Sequence, residues 1–169
     1  MDALSRRIVG KVVLAGVGCV SRGDDGFGPV LIRRLAGVPR LSTLDCGDRL
    51  EDFTGDIARQ RPDTVLIADA VEMGVSPGDV ALLEAEDLPL GAGDTHRAPL
   101  RAVMEYLKIR TNATVLLLGV QPAYISDVRS LSPQVASSIA RLERIFRAGH
   151  GCLRQNHAGF ALTGSGHER

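Results

Sequence analysis

Two carboxylates and one imidazole, Asp25, Asp69 and His96, stand out as a set of side chains able to hold a divalent metal ion. Asp25 lies in the stretch Val17 to Gly28, where four glycines after a β-type run allow a tight, exposed turn. Asp69 closes Thr64 to Asp69, an apolar run that ends abruptly on a charge. His96 sits between Gly93 and Pro99, just before a helical pattern. A neutral imidazole with two carboxylates gives an N,O,O ligand set for a borderline divalent ion, and it leaves coordination positions open for water or substrate.

Each of the three also has a structural reading. Asp24 or Asp25 can cap the helix that follows, since a side-chain oxygen there satisfies exposed N–H groups and complements the helix dipole. One cap residue is enough, however, and a second acid beside it calls for a cation or hydrogen-bond donors. Asp69 can bond loop N–H groups beyond its strand. His96 can be an ordinary first-turn residue, with Asp94 or Thr95 as cap and Pro99 at the helix start.

Other chemistries fit less well. The Gly16-Val-Gly18 turn lacks the third glycine of a dinucleotide fingerprint, no G-K-[ST] follows, and Asp24 with Asp25 would repel phosphate. Cys46 sits beside Asp45 and Asp48, whose charges raise a thiol pKa, and Cys19 has no evident activating group. Cys46 is thus no nucleophile. His150, Cys152, His157 and His167 match no closed zinc spacing.

The elements that must position these residues follow from the apolar pattern. Lys11 to Val17, Thr64 to Asp69 and Ala113 to Val120 are near-continuous apolar runs, suited to strands buried on both faces. Leu41 to Cys46 is a shorter candidate, and the alternating, more polar Gly78 to Glu84 reads as an edge strand. Helical patterns cover Gly28 to Leu35, Leu50 to Gln60, Ala98 to Ile109 and Pro133 to Ala148. The last carries Val135, Ile139, Leu142 and Ile145 or Phe146 on one stripe, with Arg141, Arg144 and Arg147 opposite. This alternation predicts an α/β sandwich with a parallel sheet covered on both faces. Sites in such sheets form at the carboxyl ends of strands where the chain order switches direction, which brings the Asp25 and Asp69 loops together.

At 169 residues the chain fits one domain, expected over residues 1–150, with a flexible, glycine-rich tail at 151–169. Twenty basic side chains balance twenty acidic ones, and only 4% of residues are aromatic. Neither the overall basic field nor the stacking platform of a nucleic-acid binder is present. Three cysteines without a C-x-x-C pair suggest a reducing, cytoplasmic setting. The Arg6-Arg7 pair before an apolar run lacks a following cleavage site, so a signal is not expected, and no stretch is long enough to span a bilayer. Nothing demands more than a monomer.

The residues resemble a known family, the nickel-iron hydrogenase maturation endopeptidases, and in particular the type that processes formate-hydrogenlyase and related hydrogenase large subunits. The match runs from about Val12 to Phe146 through Gly16-Val-Gly18 with Gly23 to Pro29, Leu44 to Gly47, Leu66 to Ala70 with Met73-Gly74 and Pro77-Gly78, Thr95-His96 with Pro99-Leu100, and Leu118 to Pro122. The resemblance implies a three-layer α/β/α sandwich around a twisted, mostly parallel five-stranded sheet. It also implies that Asp25, Asp69 and His96 contact nickel, which the substrate itself supplies. The implied reaction is removal of a C-terminal extension from a nickel-loaded hydrogenase large-subunit precursor. One departure is Cys19, where family members usually carry asparagine. A non-catalytic reading stays open beside it: a nickel-dependent protein that binds the precursor, or carries the ion, without cutting.

Overall fold

The computed structural model describes residues 7–88, 97–127 and 129–152. His96 and the segment beyond Cys152 lie outside the described residues. Five strands form a single sheet: β1 (Val12–Gly16), β2 (Leu41–Asp45), β3 (Thr64–Ala70), β4 (Val80–Leu83) and β5 (Thr114–Val120). Their order is β2-β1-β3-β5-β4. Four are parallel neighbours, and β4 runs antiparallel to β5 at the edge.

The apolar runs have the two-sided burial that their composition predicts. Leu14, Leu66 and Leu116 face one side of the sheet, and Val13, Val65 and Val115 face the other. The first side is covered by α1 (Phe27–Leu35) and α4 (Pro133–Cys152), which contribute Phe27, Leu31, Leu35, Val135, Ile139, Leu142 and Phe146 to one core. The second is covered by α2 (Thr54–Arg59) and α3 (Arg97–Thr111), through Ile57, Leu100, Met104 and Leu107. The result is a three-layer α/β/α sandwich with two cores separated by one sheet, because every central strand must bury both its faces.

Local chemistry sets the helix ends. Ser132 precedes α4, its Oγ accepting the Val135 N–H at 3.3 Å, and Pro133 occupies the first turn, where no N–H is missed. On the stripe of α4, Phe146 enters the core at 5% exposure and Ile145 stays half-buried. That helix continues to Cys152, four residues past the end expected at Ala148. Asn112 closes α3 in the left-handed region at φ 55°, its N–H bonded to the Lys108 carbonyl. The single helix expected over Leu50 to Gln60 is instead two pieces, a 3-10 turn at Leu50–Phe53 followed by α2. Only Leu50 and Ile57 of these are buried, so the segment lacks a continuous apolar stripe to hold one long helix. Among the described residues, no helix is long and apolar enough to cross a membrane.

Candidate functional site

The strand order reverses at β1 and β3: the chain leaves β1 for β2 on one side and returns to β3 on the other. The carboxyl ends of these two strands are neighbours, with Gly16 opposite Ala68 and the Val17 N–H bonded to the Ala68 carbonyl at 2.8 Å. Loops leaving this switch point diverge and open a crevice. A cleft of about 490 Å³ occupies it, lined by both Asp25 and Asp69. Asp69, two residues beyond core-facing Ile67, continues the face covered by α3, whose Leu100 and Val103 line the same cleft.

The glycines hold the first loop against the sheet. A Cβ on Gly28 would lie 2.4 Å from the carbonyl oxygens of both Ala68 and Val17, so α1 can start against the strand ends only without a side chain there. Gly18, at φ +119°, passes so close to Asp25 that a Cβ would meet its carbonyl oxygen at 1.9 Å. The chain then turns through a 3-10 segment, Gly23–Gly26, that carries both aspartates.

Those aspartates have separate roles, and neither caps α1, contrary to the capping expectation. Asp24 is wholly buried. Its Oδ2 accepts the N–H groups of Ala123 at 2.8 Å and Tyr124 at 3.3 Å, and its Oδ1 accepts that of Ser132 at 2.7 Å, so the carboxylate ties the β1 loop to the loop after β5. With both oxygens occupied in the interior it is no proton acceptor for a bound substrate. Asp25 remains half-buried on the cleft. Its Oδ2 accepts the Cys19 main-chain N–H at 2.9 Å, and an Arg22 guanidinium nitrogen lies 3.8 Å from the same oxygen.

Among the described residues, the cleft also holds three acids that the motif reading did not select, Asp48, Glu51 and Glu72, against a single base, Arg22. Asp48 and Glu51 follow β2, so the carboxyl-end rule that found Asp25 and Asp69 extends to them. Glu72 is fixed by Gln121, a buried amide at the end of β5. The Gln121 Nε2 donates to both Glu72 carboxylate oxygens at 2.9 Å and its Oε1 accepts the Met73 N–H at 2.7 Å. Five carboxylates around one crevice create a negative potential that concentrates cations. Among the described residues, no three His, Cys, Asp or Glu side chains form a ready-made metal cage.

Cys46 is ruled out as a nucleophile, with its causes reordered. Burial pushes its thiol from 9.0 up to about 12, and the charge of Asp45 adds to that, whereas the sequence pointed to neighbouring charge alone.

Comparison with known proteins assigns the chain to a family. The family profile HycI, hydrogenase maturation protease, matches residues 30–147, more than half of the chain. The chain is 29% identical over 152 residues to the hydrogenase 3 maturation protease of Escherichia coli K12, covering 88% of this chain and 94% of that one. The crystal structure of the NiFe hydrogenase maturation protease HycI from Thermococcus kodakarensis superposes with a TM-score of 0.81 at 29% identity, covering 89% and 99% of the two chains. The solution structure of the endopeptidase HycI from Escherichia coli gives 0.74 at 27% identity, covering 82% and 90%. The α/β/α sandwich is thus the fold of the hydrogenase maturation proteases. This chain belongs to the HycI hydrogenase maturation protease family.

Proposed function

We propose that this protein is an endopeptidase that removes the C-terminal extension of a nickel-loaded hydrogenase large-subunit precursor, reading the precursor's nickel through Asp25, Asp69 and His96. The observation that carries this reading is the meeting of Asp25 and Asp69 on one cleft, although 44 positions of sequence, 69 minus 25, separate them. A second support is α3: Leu100, four residues after His96 in the sequence, lines that same cleft.

Nickel enters here as part of the substrate. Held by the precursor, the ion presents open coordination sites, and two carboxylates with an imidazole supply the hard and borderline donors it accepts. An unloaded precursor lacks that docking point, so completion of metal insertion is checked by binding itself. A cation held by these side chains beside the scissile carbonyl would supply Lewis-acid chemistry, polarising that carbonyl or lowering the pKa of a water. The surplus of acids around the cleft favours a cationic centre over an empty thiolate site, whose charge it would repel.

The test is substitution within the trio. His96→Ala should stop processing of loaded precursor while the circular dichroism and unfolding midpoint stay near those of the parent. Asp69→Asn, which keeps shape and removes charge, should also stop it. Processing at the parent rate by either variant removes that residue from the mechanism. Nickel-dependent capture of precursor by the parent protein, with no change in precursor mass, would favour the non-catalytic reading instead.

A further inference from the structure

We propose that an extended segment of the precursor, adjoining the cleavage point, adds as a strand to the outer edge of β4; this rests on the endopeptidase reading above. The backbone pairing fixes which groups are on offer. The Val71 N–H bonds the Val120 carbonyl, so Val120 turns its peptide groups toward β3, and the Gln121 N–H bonds the Asp79 carbonyl on the β4 side. By alternation Gly119 and Leu117 also face β4, where the register places Ala81 and Leu83. The N–H and C=O groups of Val80 and Leu82 therefore point away from the sheet, and among the described residues no backbone group pairs with them.

A groove of about 1100 Å³ runs along this edge between β4 and α4, with Leu82, Leu142 and Ile145 among its walls. Val71 and Glu72 line both this groove and the acidic cleft, so the two adjoin. Edge strands usually carry lysine, proline or an inward charge that discourages pairing, yet Val80 to Leu83 reads Val-Ala-Leu-Leu. A peptidase must hold its substrate extended on approach to the reacting bond, and an extended chain offers the alternating donors and acceptors that this edge lacks. The groove thus selects backbone and apolar alternate side chains, while the cleft selects the metal.

Hydrogen exchange of the full-length protein, with and without nickel-loaded precursor, tests this directly. Exchange at the amides of Val80 and Leu82 should slow by about tenfold or more on binding, and unchanged exchange with precursor bound would overturn the proposal. Leu82→Pro deletes one outward N–H, which an edge strand tolerates, and should weaken precursor binding roughly tenfold relative to Leu82→Ala, the packing control. Equal affinity of the two variants would also overturn it. The readouts are binding and exchange, so they decide the edge contact even if the parent protein proves not to cut. Such an outcome would overturn the endopeptidase reading alone, and a parent protein that fails to bind loaded precursor would overturn both.

Discussion

The main-chain N–H of Cys19 donates to Oδ2 of Asp25 at 2.9 Å, so the acid proposed to meet nickel is oriented by backbone and not by the side chain at position 19. The Cys19 Sγ meanwhile contacts the Ser21 Oγ at 3.0 Å within its own loop. The thiol, which the resemblance sets in place of an asparagine, therefore leaves the aim of Asp25 intact.

Cys19→Asn should accordingly change the initial rate of precursor processing by less than about threefold, because the hydrogen bond that positions Asp25 is retained. Asp25→Asn, which leaves the loop but removes the charge, should abolish processing. Timed intact-mass measurements on the two variants check both. A gain of tenfold or more for Cys19→Asn would show that the side chain, not the backbone, governs the site.

Asp24 should behave as a structural residue. Replacing it by Ala removes the acceptor of three N–H groups, that of Ser132 in a fully buried bond and those of Ala123 and Tyr124 in part-buried ones, at about 1–3 kcal/mol for the buried donor left unpaired and less for the two that water can reach. We expect a loss of about 3–5 kcal/mol in urea unfolding, with the loops after β1 and β5 losing hydrogen-exchange protection together. A loss under about 1 kcal/mol would mean that water replaces the carboxylate without cost.

Much of this was legible in the sequence and some was not. The central strands could be read because both faces of β1, β3 and β5 are buried, which leaves no polar alternation, and the run containing β4 could be read as an edge because Asp79 and Glu84 flank its four apolar residues. The Asp25 and Asp69 pairing followed from strand ends at a switch point. One of Asp24 and Asp25 was expected to cap the helix, and the buried role of Asp24 was not foreseen, because its partners Ala123 and Tyr124 lie 99 and 100 residues away and no local pattern announces them. The Gln121 clamp on Glu72 escaped for the same reason: hydrogen bonds between loops depend on where the sheet brings them. The break before α2 reflects packing, since only a continuous core-facing stripe would have held Leu50 to Gln60 as one helix.

Cys46 gives the protein an alkaline sensitivity of predictable sign. Its folded-state pKa is raised, so the folded protein retains a proton that the unfolded chain releases between about pH 9 and the folded value of about 12. The associated stability is fully present below that window and is lost as pH rises through it, by at most about 1.4 kcal/mol per pH unit. Urea unfolding at about pH 8 and about pH 10.5 should show a fall for the parent that is clearly smaller for Cys46→Ala. Equal slopes would remove Cys46 as the cause.

The most direct measurement incubates the purified protein with one hydrogenase large-subunit precursor prepared nickel-loaded and nickel-free, and reads the intact mass of each. Loss of a C-terminal peptide from the loaded form alone is the predicted result. Equal cleavage of both forms would contradict recognition of nickel by Asp25, Asp69 and His96.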